Sequence, residues 1–260
     1  MALPDTLGDL KAGADYVVIT DPELLKPISE PVVEPLTPQR TSVSCTQDEN
    51  APLQLDLSLR GGHSLWAWVE TATLEFTLAK QDINGYEGPD TIQVEVYSAA
   101  GQRVVLALVP DDGATAPTGK LGPLQQHTVR AQNLIPGLYR IDLKGSSDFL
   151  IQDLVVNQRR LVTEGPVALA GGRYTGGQAK PMAMYSYGLD KATLVASTDH
   201  ALQDVVVVGA ADQQTISIDT AGRGYQAALP AGFHAVVAEK GDITLNNGGV
   251  FSFTPCSWFL

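Results

Sequence analysis

The chemistry this sequence offers most densely is oxygen ligation. Asp82, Asn84, Glu87 and Asp90 fall within one stretch punctuated by Gly85 and Gly88, and Asp111, Asp112 and Gly113 follow a later apolar run. Hard cations such as Ca²⁺ take about six to eight oxygens, and carboxylates and amides spaced around a glycine turn can supply several of them. The spacing is not that of an EF-hand. Asp, Asn and Gly are also what tight turns use, because they tolerate positive φ and hydrogen-bond their own backbone. The stretch therefore carries two expectations: a Ca²⁺ site on Asp82, Asn84, Glu87 and Asp90, or a set of tight turns. Trp66 and Trp68 form a second ligand-bearing pair. On a strand they share one face while Leu65, Ala67 and Val69 share the other, so one face is core. The tryptophan face is then either a stacking platform for a sugar ring or a surface covered by another layer.

Nucleophilic hydrolysis needs a Ser or Cys beside a His, with a third group to orient it. His63, His127, His200 and His234 are scattered, outside any Gly-x-Ser-x-Gly elbow or zinc-binding His pair. Asp199 and His200 are adjacent, yet neighbours on a strand point to opposite faces. All four histidines are expected at the surface, and the chain is expected not to be an enzyme. No glycine-rich loop opens a helix to cradle phosphate. Cys45 and Cys256 are the only cysteines and stand in no Cys-x-x-Cys or Cys/His cluster. They read either as a long-range disulfide or as two buried thiols.

The elements that must position these residues are strands. Leu53, Leu55, Leu57 and Leu59 alternate with polar residues, as do Leu74, Phe76 and Leu78, and Ile92, Val94 and Val96. Further strands are expected at Val104–Val109, around Val129, at Gly137–Leu143 and at Phe149–Val156. A second set follows at 182–187, 192–197, 205–208, 215–219, 225–229, 233–239 and 250–254. Short strands broken by Gly, Pro and Asp predict an all-β fold of two antiparallel β-sandwich modules, Ig-like or jelly-roll-like. The boundaries read as an N-terminal strand and Pro-rich arm at 1–40, one module at 41–160 and another at 161–260, with a tight junction near 157–165.

The run from Lys80 through Tyr97, with Val109 to Gly113, Asn133 to Arg140 and the strand beginning at Asp148, resembles β-sandwich modules of secreted prokaryotic surface proteins and of domains flanking secreted peptidases. The resemblance spans roughly residues 75–160. It implies an extracellular accessory or structural role and no particular ligand.

The arm decides how such modules would be used. Tyr16, Val17, Val18, Ile19 and Thr20 are strand formers, and Pro22, Pro27, Pro31, Pro35 and Pro38 make the following segment a stiff, extended tether. A lone strand must pair with a sheet, in its own chain or in a neighbour. With 17 Lys plus Arg against 29 Asp plus Glu among 260 residues, the formal charge of −12 disfavours nucleic acid. No apolar run approaches the roughly 18–20 residues of a membrane helix; Met1 to Pro4 lack a charged n-region and an apolar h-region, so no secretory signal is expected there, and the protein is read as either cytosolic or already relieved of a signal. The apolar end, from Phe251 and Phe253 to Trp258, Phe259 and Leu260, is expected to dock or to continue into further chain. These features predict an extracellular structural or adhesive protein, a surface-layer or filament subunit joined by β-strand addition to itself or to another surface protein. The alternative is a carbohydrate- or calcium-binding accessory module of a larger secreted enzyme.

Overall fold

A computed structural model describes residues 52–55, 57–172, 181–188, 192–209, 212–229 and 231–256. The strand expected at 16–20, the proline arm and Cys45 lie outside the described residues. Within them the chain is all-β. The first half contains β1 (Leu53–Gln54), β2 (Leu59–Arg60), β3 (His63–Val69), β4 (Thr73–Asp82), β5 (Ile92–Ser98), β6 (Arg103–Val109), β7 (Gln125–Gln132), β8 (Gly137–Lys144) and β9 (Phe149–Val156). The second contains β10 (Leu161–Glu164), β11 (Val167–Leu169), β12 (Met182–Gly188), β13 (Ala192–Ser197), β14 (Gln203–Val208), β15 (Gln213–Ile218), β16 (Gly224–Leu229), β17 (Gly232–Ala238), β18 (Ile243–Asn246) and β19 (Val250–Ser252). No helix among the described residues is long and apolar enough to cross a membrane.

Period-two alternation is what makes these strands pack. Leu65, Ala67 and Val69 of β3 point inward, as do Leu74, Phe76 and Leu78 of β4 and Val236 and Ala238 of β17. Each fully buried aliphatic or aromatic side chain contributes roughly 1.5–3 kcal/mol. The strands form two antiparallel sheets. One runs β16-β13-β18-β11-β2-β9-β4-β7, with β1 also paired to β9; the other runs β15-β14-β17-β12-β19-β10-β3-β8-β5-β6.

Both sheets continue across residue 160. In the first, Leu59 of β2 pairs with Leu169 of β11. In the second, β10 joins β3 to β19, and β19 meets β12 through Tyr185 and Ser252. One apolar cluster contains residues from both halves, Phe76 and Leu154 alongside Val207 and Leu245. The halves also repeat one winding. Order β2-β9-β4-β7 beside β3-β8-β5-β6 recurs as β11-β18-β13-β16 beside β12-β17-β14-β15.

Several local expectations change. Leu53, Leu55, Leu57 and Leu59 are buried, as their alternation predicts, but the segment pairs with β9 in two short pieces, β1 and β2, and not as one strand. The junction near 157–165 is itself built of sheet, because β10 and β11 fill the seam. Phe251 and Phe253 belong to the core, whereas Trp258 to Leu260 lie outside the described residues.

Candidate functional site

Three loops converge at one end of the first half: 83–91 after β4, 110–124 between β6 and β7, and 145–148 between β8 and β9. On β4, Lys80 and Asp82 continue the inward parity of Leu74, Phe76 and Leu78, so both enter the interior. Their side chains are fully buried, with Lys80 Nζ 2.6 Å from Asp82 Oδ1. The same Nζ donates to the Pro110 carbonyl at 2.8 Å. Asp82 Oδ2 accepts the Asp112 amide N–H, and the Asp82 carbonyl accepts that of Gly122. Burial pushes the Asp82 carboxyl above its usual range, with Lys80 and the Asp112 amide opposing.

Asn84 holds the next turn at φ 54°, a left-handed conformation that Asn tolerates. Its Nδ2 donates to Asp112 Oδ2 at 3.1 Å and to the Lys120 carbonyl at 3.3 Å. Asp111 accepts the amides of Asp90 and Gly113, and Asp112 Oδ1 accepts that of Ala114. One carboxylate oxygen from each of Asp82, Asp111 and Asp112 lies within 4.8 Å of the others. Behind this trio, Asp148 Oδ2 accepts the N–H groups of Gly85 and Tyr86, and Asp90 Oδ1 accepts the Ser146 hydroxyl. The Asp90 carboxyl is also pushed up, chiefly by burial, with the charges of Asp148 and Asp82 adding and Ser146 opposing. Three buried oxygens in these loops have no hydrogen-bond partner: Asn84 Oδ1, Asp90 Oδ2 and Asp148 Oδ1.

Of the four residues expected to bind Ca²⁺, the structure gathers Asp82, Asn84 and Asp90 as buried groups and leaves Glu87 exposed. The 145–148 loop also supplies Asp148, and β4 supplies the buried ammonium of Lys80. The parity of β4 could have found Lys80; Asp148 comes close only through the β8–β9 turn.

The outer face of the second sheet is different. Trp66 is only 2 % exposed and clusters with Leu138, Val162, half-buried Trp68 and Val250. Its Nε1 donates to Glu164 Oε2 at 2.8 Å, and the Arg140 guanidinium lies 5.9 Å from its ring centroid. Trp66 thus offers no open ring face for a sugar. Next to it Glu95 accepts from Lys144, Arg103 and Tyr97. These donors, Lys144 foremost, hold its carboxyl down at about 2. Outermost is β6. Val105, Ala107 and Val109 face the core, while Val104, Leu106 and Leu108 are exposed on the edge strand. Of the four strands ending the two sheets, only β6 shows large aliphatics to solvent among the described residues.

The histidines correct the sequence reading. His63 and His234 are buried, because they share inward parity with Leu65 and Val236. His200 Nδ1 lies 3.2 Å from Asp242 Oδ2. The nearby Thr198 hydroxyl is buried and donates to the Asp242 carbonyl, so it is not a free nucleophile. Cys256 is disulfide-bonded, and Cys45, the other cysteine, lies outside the described residues. No protein-family model matches the chain, and no curated protein matches it.

Proposed function

We propose that this chain is a non-enzymatic structural subunit that works outside the cell, in a surface layer or filament, and that its copies join by β-strand addition. Each half is read as an eight-stranded jelly-roll sandwich, since both repeat one winding across two facing sheets. Jelly rolls serve as shell proteins and as lectins alike, so the winding alone does not choose a function.

The observation that carries the reading is the β6 edge. Soluble sheets blunt their edges with charge, proline, a covering layer or a bulge, and β6 carries a bulge at Val104. Here Val104, Leu106 and Leu108 stand exposed, the last two at 52 % and 66 %. The occupant we assign is the Tyr16–Thr20 strand of a second copy. Its main chain would extend the sheet beyond β6 while alternate side chains pack beside the exposed leucines. The proline tether, read from the sequence as extended, would span on the order of 50 Å at about 3.1 Å per residue, a reach that suits an intermolecular contact. A head-to-tail contact of this kind that does not close into a ring propagates as a filament. The disulfide at Cys256 supports an oxidising, extracellular setting.

Sedimentation velocity over a concentration series tests the assignment. Full-length protein is expected to assemble, and both Leu106→Lys with Leu108→Lys and deletion of residues 1–40 are expected to leave folded monomers. Full-length protein that stays monomeric throughout, or assembly that survives the double lysine substitution, would overturn it.

A further inference from the structure

We propose that the three-loop end of the first half binds one Ca²⁺ ion through the carboxylates of Asp82, Asp111 and Asp112 and the side-chain oxygen of Asn84. This is independent of how copies assemble. The donor set is all oxygen, which suits a hard cation and not Zn²⁺ or Cu²⁺. Oxygens of the three carboxylates lie within 4.8 Å of one another. That span accommodates Ca²⁺–O bonds of about 2.3–2.6 Å.

Acidic clusters are common without a metal, and the separate observation here is the buried oxygen left over. Asn84 is 3 % exposed, its Nδ2 is already on Asp112, and its Oδ1 has no partner. Buried polar atoms are seldom left so, because the cost of desolvation is then uncompensated. The neutral N–H donors already on the carboxylates leave lone pairs for a cation, whereas the Lys80 ammonium on Asp82 Oδ1 stands against one at that oxygen. Each carboxylate oxygen has two lone pairs, and the N–H donors use one while fixing its direction.

Charge points the same way. Asp82, Asp90 and Asp148 are each at most 4 % exposed, and among the described residues the one buried ammonium, Lys80, is paired with Asp82. Asp111 and Asp112, half-buried at the mouth, add more negative charge and give the ion a way in. A Cβ at Gly122 would stand 1.9 Å from Asp112 Oδ2, so a side chain there would displace that carboxylate from the loop.

Calorimetric titration of chelator-treated full-length protein with CaCl₂, and separately with MgCl₂, tests the site. One Ca²⁺ per chain is expected, with a raised melting temperature by mass action. Asp112→Asn keeps the size of the side chain and is expected to bind at least roughly tenfold more weakly, the scale for disturbing an oriented ligand set. Asp111→Asn is the second variant should the first lose its fold. Absence of binding heat together with a melt unchanged by Ca²⁺ or chelator would overturn the proposal. So would wild-type affinity in both variants, or Mg²⁺ binding as tightly as Ca²⁺.

Discussion

His63 makes the stability of this sandwich depend on pH in a calculable way. The ring enters the interior at the start of β3 and is 6 % exposed. Burial lowers its pKa from 6.5 to about 4, with the Arg60 main chain opposing more weakly. Between those values the unfolded chain binds a proton that the folded chain does not. Stability from this group is therefore full above pH 6.5 and is lost as pH falls towards 4. At 1.36 kcal/mol per pH unit, the loss between pH 7 and pH 4 is about 3 kcal/mol. Urea melts of the wild type and His63→Leu at a series of pH values measure it. Asp82 and Asp90, whose carboxyls are pushed up, give the opposite slope in acid. They are present in both proteins, so the difference between the two curves isolates the ring. The wild type is expected to lose about 3 kcal/mol more than the variant over this range. Parallel curves would refute a neutral, buried His63.

Two further perturbations test the interior and the bridge. Lys80→Met leaves the fully buried Asp82 without its cation and is expected to cost about 3–5 kcal/mol in urea melts run in chelator; a loss well under 1 kcal/mol would show that water already reaches the pair. Peptide mapping without reduction is expected to find Cys256 joined to Cys45, and if so reduction removes on the order of 5 kcal/mol by the loop-entropy relation. Free alkylation of both cysteines in the unreduced protein would exclude the bridge.

How much of this was legible in the sequence follows from parity. Alternation at 65–69, 74–78 and 92–96 marks the inner faces, and the structure buries those residues. The same parity carries Lys80, Asp82, His63 and His234 inward. A reading that treats polar residues as surface misses this, although the register contained it. Period two does not choose a neighbour, which is why the pairing of β2 with β11 and the insertion of β10 and β19 between β3 and β12 were not visible. Short strands suffer most. β11 and β18 have three and four residues, too few for an alternating pattern to stand out from turns. Ligand loops fare in between: composition placed oxygen donors at 82–90, whereas only the β8–β9 turn brings in Asp148.

The acidic loops and the aliphatic edge belong to one strand, and that bears on the proposed assembly. β6 ends at Val109, and its next carbonyl, Pro110, is gripped by Lys80 of β4 in the opposite sheet. Asp111 and Asp112 then fix the loop through the amides of Asp90, Gly113 and Ala114. An edge strand held at its end loses less conformational freedom when a partner strand docks, so more of the interaction energy remains as affinity. Its other end is looser in register: the pairing of β5 with β6 shifts after Val96, leaving Val104 as the extra residue beside the exposed leucines. Such a bulge strengthens the local twist, which limits how far a flat neighbour can zip along the edge. A receiving strand pinned at 109–112 and twisted at 103–105 therefore favours a short incoming segment, of the length of Tyr16–Thr20, over open-ended sheet growth.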